Sequence, residues 1–583
     1  MLRVVMQGAS VALTCILMIG CGQNESPVPT RTPPAAAAAA ANAAWPRFVQ
    51  DFIEAYFSAN PTFAVKAGRH EFDGRLPDWR SSAIEQEIQR LEALRRRAQT
   101  FEDATLLPTH RFQRDYLISV IDRDLFWLRD ARFPYRNPIY YFEHGLDPST
   151  YATVPYAPAE QRLGAFVRYL EALPGALSAI RETLQPPLPR TYVDYAIDAC
   201  EGFAEFFRGD AVVVFADVSN AQLQAELASA ADTAAKAMLE MRAWFESLRG
   251  TATEAYALGP ERFARMLATT ERVTVSLERL EQAGQAELER NRAALVEACA
   301  RFLPGETVEA CAATVSADKP QPGSVEGVRH QLPILKQFVV ERDIVSVPDA
   351  DEVRVAEAPP YRRQQFAYLA IPGPFDKGMP AIYYIAPPDP QWSSAMQAAY
   401  LPGQADLMFT TVHEVWPGHF LHSLHASRVQ WRFGQLFVSS AFAEGWAHYA
   451  EELMIEKGLA TDVPALHIGQ LLNALARNVQ YLCAIGLHTE EMRLEECERM
   501  FREQAYQDAV SARRRAARGT YDPAYLSHTL GKLMIRKLRA DWTAPRGGEK
   551  AWKAFHDQLL SYGSPPLPLV RTYMLRTGKE QIL

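Results

Sequence analysis

From Trp45 to near the C-terminus the chain reads as helix after helix, and this period limits the possible folds more than any other feature. Ile84, Ile88, Leu91 and Leu94 recur at the spacing that lines one face of an α-helix, and an arginine cluster follows them. Residues 220–248 and 261–303 are long Ala/Leu/Glu/Arg stretches with apolar stripes: Phe263 and Leu267, then Val273, Leu277 and Leu280. Strand-like text is confined mainly to residues 336–386. It comprises Phe338–Val340, Ile344–Val347, Phe366–Leu369 and Ala381–Ile385, short β-branched or aromatic runs separated by Pro and Gly. Helical text resumes from about 405 to 560. The pattern predicts a mainly α fold: one large helical domain over 45–583, with a small antiparallel β-sheet inserted before its functional helices.

Composition removes two broad classes. At 583 residues, with 48% hydrophobic and 22% charged, the chain has ample material for a core and is not mainly disordered. It carries 61 Lys+Arg against 69 Asp+Glu, a net charge of -8, and has no basic stripe beyond Arg513–Arg515. Nucleic-acid binding is therefore not expected.

The first 44 residues are of another kind. Arg3, the apolar stretch Val11–Ile19 and the small residue before Cys21 read as a lipoprotein-type signal peptide over 1–20, with Cys21 as the lipidated residue. Met18 stands where leucine is usual. The apolar stretch is too short to span a bilayer. Residues 21–44, rich in Pro and Ala, read as a tether. The expected location is the cell envelope, facing the periplasm through an N-terminal lipid anchor in the outer rather than the inner membrane. Five later cysteines form an odd set: Cys200, Cys299, Cys311, Cys483 and Cys497. Cys299 and Cys311 flank the turn-like Leu303–Gly305, where a disulfide or two buried thiols would both fit.

Chemistry concentrates between residues 413 and 528, which hold eight of the 13 histidines. His413-Glu414 is followed by Pro417-Gly418-His419 and His422, and further on by Glu444-Gly445-Trp446-Ala447-His448-Tyr449. Two imidazoles and a downstream carboxylate resemble the ligand set of a zinc peptidase, which leaves one position on the ion for water. Glu414, beside the first histidine, is the candidate general base. The spacing departs from the common four-residue form. Six residues at about 100° each leave His413 and His419 roughly 120° off a shared helix face. Pro417 removes a backbone hydrogen bond and Gly418 relaxes the chain, so the metal reading requires a bulge at Trp416-Pro417.

The text His-Glu-x-x-Pro-Gly-His with a downstream Glu-Gly-Trp-Ala-x-Tyr resembles the bacterial family called domain of unknown function 885, which looks like a distant branch of the Glu-zincin metallopeptidases. Arg518-Gly519-Thr520, Asp522–Leu526 and Leu530–Leu533 are similar to the family's closing motif. The resemblance runs from about residue 46 to near the C-terminus. It implies a helical zinc hydrolase, with His413, His419 and Glu444 binding Zn2+ and Glu414 as base.

Other side chains carry weaker expectations. His422 could hold substrate or simply pack; His448 could approach the metal; Glu451 or Glu452 could orient a metal-bound histidine. Tyr383 and Tyr384, if their strand lies at the sheet edge, could line an extended peptide substrate. Tyr525, with His528 as the second choice, is expected to stabilise the oxyanion, both set on one face of a helix begun by Pro523. A tyrosine often stands in the family where His528 stands here. The function expected from the sequence is a zinc-dependent metallopeptidase. An amidase acting on cell-wall peptides, a catalytically inactive peptide-binding lipoprotein and a metal-storage protein are the rivals.

Overall fold

The computed structural model describes residues 35–348, 352–358, 366–388, 392–489, 491–576 and 582–583. The signal peptide and Cys21 lie outside the described residues. Helix α1 (Ala35–Ala59) begins inside the alanine run, so the second part of the segment read as a tether is helical. Alanine has the highest helix propensity, and Trp45, Phe48 and Phe52 anchor the following turns in the interior.

Two hydrophobic cores organise the helices. The first joins α1 to α2 (Ala159–Thr183), α3 (Arg190–Arg208) and α4 (Ala221–Leu248). Buried Ala230, Ala231, Ala234 and Ala235 on α4 let its neighbours approach closely. Phe433, Phe437 and Leu569, from much later in the chain, complete this core. The second core contains α5 (Leu277–Phe302), α6 (Ser324–Glu341) and all the helices that carry the candidate site.

The stretch 261–303 is two helices rather than one, Pro260–Thr270 and α5, parted at Glu271–Ser276. Ser276 caps α5 by accepting the Arg279 amide. Buried Glu271 turns away to accept from Ser439 and from the Ala441 amide, at the start of a helix that carries the site.

The sheet has three strands, β1 (Arg354–Glu357), β2 (Ala367–Ala370) and β3 (Ile382–Ile385), in the order β1-β3-β2. β2 pairs antiparallel with β3 but β1 pairs parallel with it, so the sheet is mixed, not antiparallel. Phe338–Val340, read as strand, lie in α6. There Val328, Leu332, Leu335 and Val339 sustain a helical period that outweighs three local β-formers. Ile344–Val347 is not a strand either. Its polar backbone groups bond to side chains: the Ile344 carbonyl to His556 Nδ1 at 2.7 Å, and the Ser346 amide to Asp557 Oδ1 at 2.7 Å.

Disulfides join Cys299 to Cys311 and Cys483 to Cys497, and Cys200 is a buried thiol. Among the described residues no helix is long and apolar enough to cross a membrane.

Candidate metal centre

Five helices build the site: α7 (Gln404–Glu414), α8 (His419–Ala426), α9 (Ser440–Glu456), α10 (Pro464–Thr489) and α11 (Ser527–Thr543). The break demanded by the His413/His419 spacing falls between α7 and α8. Helix α7 stops at Glu414, and α8 starts at His419 after Gly418. The Gly418 amide reaches back to the Val412 carbonyl at 3.0 Å, and Trp446 Nε1 on α9 donates to the Pro417 carbonyl at 2.8 Å. A Cβ at Gly418 would sit 1.7 Å from the His413 carbonyl oxygen, so only glycine fits. The turn leaves the rings of His413 and His419 with centroids 4.7 Å apart, edge to face.

Helices α9 and α11 touch through backbone. A Cβ at Gly531 would lie 1.8 Å from the Ala441 carbonyl oxygen, and one at Gly445 would lie 2.4 Å from the Gly531 Cα. One residue further on, the fully buried Lys532 ammonium is 2.6 Å from Glu287 of α5 and 3.2 Å from Glu452 of α9. Arg290 reaches Glu452 at 2.8 Å. These paired charges fix α5, α9 and α11 against one another, because removing one partner would strand a buried charge.

Three imidazoles converge on one carboxylate oxygen. Glu444 Oε2 is 2.9 Å from His528 Nε2, 3.5 Å from His413 Nε2 and 3.6 Å from His419 Nε2. His413, Glu444 and His528 each offer a ligand atom within 4.8 Å of the others. That group includes His528 in place of the expected His419, which touches the same oxygen from the cavity side. On the far side of His413, Glu451 Oε1 accepts from Nδ1 at 2.8 Å. Arg477 of α10 donates to Glu451 and lies 3.2 Å from both the His413 and His448 Nδ1 atoms.

Burial and Arg477 push the proton off His413, but Glu444 and Glu451 outweigh them and hold its pKa up at about 9. Burial opposes ionisation of Glu444, yet His528, His419 and His413 bring its pKa far below the usual carboxylate range. Against the same burial, Arg477, then His413 and His448, do so for Glu451. A ring with a carboxylate at each nitrogen must carry two protons or give one nitrogen to a cation. With Nδ1–H committed to Glu451, the Nε2 lone pair of His413 faces the space shared by Glu444, His419 and His528. This donor set, imidazoles with one carboxylate and a carboxylate behind His413, fits zinc.

The remaining expected residues fall as follows. Glu414 ends α7, and its carboxylate makes no hydrogen bond or ion pair with any described residue, though its charge acts on buried Tyr383. His448 is buried behind the cluster against Glu451, its pKa pulled to about 3 chiefly by burial. Glu451 backs His413, whereas Glu452 belongs to the Lys532 network. His422 Nε2 is 2.9 Å from Ser564 Oγ. Burial keeps this ring neutral, with a pKa of about 3. Tyr525 is 3% exposed beneath the Arg518 guanidinium, 4.9 Å from its ring, and has no hydrogen bond to the cluster.

The edge-strand expectation for Tyr383 and Tyr384 is wrong. β3 is the central strand, so its backbone is already paired on both sides. Tyr383 is wholly buried, and Tyr384 stacks on Tyr368 with ring centroids 4.9 Å apart. Arg477 was not anticipated. A lone arginine within the apolar run of α10 is the signal that marks it.

A cavity of about 470 Å³ opens beside His419. Phe420, His422 and Leu424 of α8 form one wall, and Ile371, Asp376 and Met379 of the β2–β3 connection form another.

The molecule is thus a helical protein with a convergent His/Glu cluster, one member of which, His419, lines a cavity. Residues 61–574 match the family described as bacterial protein of unknown function (DUF885), and the chain belongs to that family. Two solved structures share its fold. One is a "putative lipoprotein of unknown function" from Shewanella oneidensis, 21% identical, with a TM-score of 0.76 over 91% of this chain and 99% of that one. The other is a "putative lipoprotein" from Colwellia psychrerythraea, 16% identical, with a TM-score of 0.77 over 93% of this chain and 98% of that one. No curated protein matches the sequence.

Proposed function

We propose that this protein is a zinc-dependent hydrolase, a metallopeptidase that cleaves peptides at the cell envelope. The observation that carries the reading is the meeting of three imidazole nitrogens at Glu444 Oε2, with Glu451 behind His413 and a cavity alongside. His413, His419 and Glu444 would hold the ion. Bound zinc would supply a Lewis acid that polarises a carbonyl and makes water more acidic.

The chain's own groups supply the rest. Glu414, whose carboxylate makes no hydrogen bond or ion pair with a described residue, takes a proton from water and passes it to the departing amine. His528 is the candidate donor to the carbonyl oxygen as it gains negative charge, a role in which it replaces the first-choice Tyr525. Burial, together with Arg477 and His413, lowers the His528 pKa against the pull of Glu444, and its Nε2–H, 2.9 Å from Glu444 Oε2, would turn from that carboxylate to the substrate oxygen. The lipoprotein-type leader and the two structures of the same fold titled "putative lipoprotein" support an envelope location.

Metal analysis of purified wild type beside His413→Ala, with hydrolysis by Glu414→Gln, tests this. The expected results are one zinc per chain, its loss in His413→Ala, and retained zinc with turnover reduced at least about 10²-fold in Glu414→Gln. Wild type without stoichiometric metal and without hydrolysis would refute the reading and leave a peptide-binding lipoprotein; full hydrolysis by Glu414→Gln would refute Glu414 as the base.

A further inference from the structure

The cavity beside the cluster has a polar inventory that the protein itself uses up. Asp376 pairs with His70 at 3.0 Å and accepts from the Gly373 amide at 3.1 Å. His422 Nε2 is 2.9 Å from Ser564 Oγ, so each of these two lining groups occupies the other. The hydroxyls of Ser423 and Ser427 donate to the carbonyls of Phe420 and Leu424 in their own helix. Gln435 donates to the Ser427 and Val429 carbonyls and accepts from Arg432. Lys66 lies against Gly373 through its backbone carbonyl, and its charge acts on Glu143 and His144. The cavity is thus without an unpaired charge among the described residues.

What is left over is apolar. Ile371 and Val438 both line the cavity and stay 42% and 46% exposed, although neither belongs on a protein surface by its chemistry. Two branched apolar side chains left open at one concave site mark a place where a ligand covers them. The position is set by the metal centre: His419 lines the cavity, and so does Ala443, the residue before Glu444. One wall is also held from outside. The Phe375 amide donates to the Ala67 carbonyl at 2.9 Å, and Arg432 donates to the Pro374 carbonyl at 2.9 Å. A wall that is already in place costs little to order when a ligand arrives.

We infer that this cavity receives a large, uncharged apolar side chain, of the leucine or phenylalanine kind, from a residue beside the scissile bond. The inference rests on the hydrolase reading of the adjoining cluster and gives that enzyme its substrate class. About 470 Å³ is far more than a methyl group needs. An Asp or Lys side chain would lose water there and find no partner, so peptides carrying one at this position are discriminated against.

The test is calorimetric binding of the end-blocked peptides N-acetyl-Ala-X-Ala-amide, with X as Phe, Leu, Asp or Lys. The protein is the zinc-loaded Glu414→Gln chain, which leaves the probes intact. The Phe and Leu peptides should bind about tenfold or more tightly than the Asp and Lys peptides. Met379→Trp, which fills the cavity, should weaken the Phe peptide, and Val438→Asp, on an exposed residue, should raise the affinity for the Lys peptide. Equal binding of all four peptides would overturn the inference, as would a preference that neither variant alters. Wild type that cleaves peptides whatever X is, with equal binding, would overturn it while leaving the hydrolase. A preference for Phe and Leu in a wild type that cleaves no peptide would sink the hydrolase and leave the apolar site.

Discussion

Gly418→Ala should be among the most damaging single-atom additions this chain can receive. The new Cβ would lie 1.7 Å from the His413 carbonyl oxygen, 2.4 Å from its carbon and 2.5 Å from the Val412 oxygen. All three are backbone atoms, so no side chain can swing aside. Ordinary contact needs about 3.3 Å, close to the shortest C···O approaches seen even in weak C–H···O contacts, so the turn must open by more than an ångström. The turn's own bonds resist, from the Gly418 amide to Val412 and from Trp446 to Pro417. Overpacking a rigid core costs about 1–3 kcal/mol, and loss of these two buried hydrogen bonds adds about 1 kcal/mol each. A loss of about 3–5 kcal/mol follows, with separation of His413 from His419 and reduced metal content. Gly175→Ala is the control. That glycine lies in the middle of α2 with nothing within 4 Å of its Cβ, so alanine there should stabilise by up to about 1 kcal/mol. Denaturant unfolding and metal analysis of both variants decide the matter. If Gly418→Ala keeps wild-type stability and zinc, the turn does not hold the histidines as argued.

Glu451→Gln should weaken zinc binding about 10–100-fold, because the His413 Nδ1–H loses a charged acceptor and Arg477 loses its buried partner. Competition with a chelator measures this, and an unchanged affinity would contradict the proposed role. His70 predicts a pH dependence. Burial favours its neutral ring, but Asp376 and Asp73 outweigh burial and hold the pKa up at about 9, with Tyr156 stacked on the ring and donating to Asp73. The folded pKa exceeds the unfolded value near 6.5, so this stability is complete below about pH 6.5 and is lost as pH rises through 9. At most about 3 kcal/mol is involved. Between pH 6 and 10 wild type should lose more unfolding free energy than His70→Gln; equal losses would refute it.

The parts of the site legible in the sequence are those fixed by local register. The His413–His419 spacing leaves the rings about 120° apart on a continuous helix, and that mismatch alone demands the break found between Glu414 and His419. What lies behind and around them depends on how helices approach, and no period encodes that. Glu451 and Glu452 are neighbours on α9, yet they face different partners: one faces His413 across the gap to α7, the other Lys532 and Arg290. The choice is made by the Gly445–Gly531 contact that sets α9 against α11, and by Arg477 arriving from α10. The sheet went astray for a related reason. Strand text is local, but strand direction follows from connections, so a central β3 with one parallel and one antiparallel neighbour is invisible in Ile382–Ile385. His528 shows the same dependence from the other side. Its distance to Glu444 is set by the α9–α11 glycine contact, so a sequence in which Gly531 became larger would keep every histidine and lose their convergence.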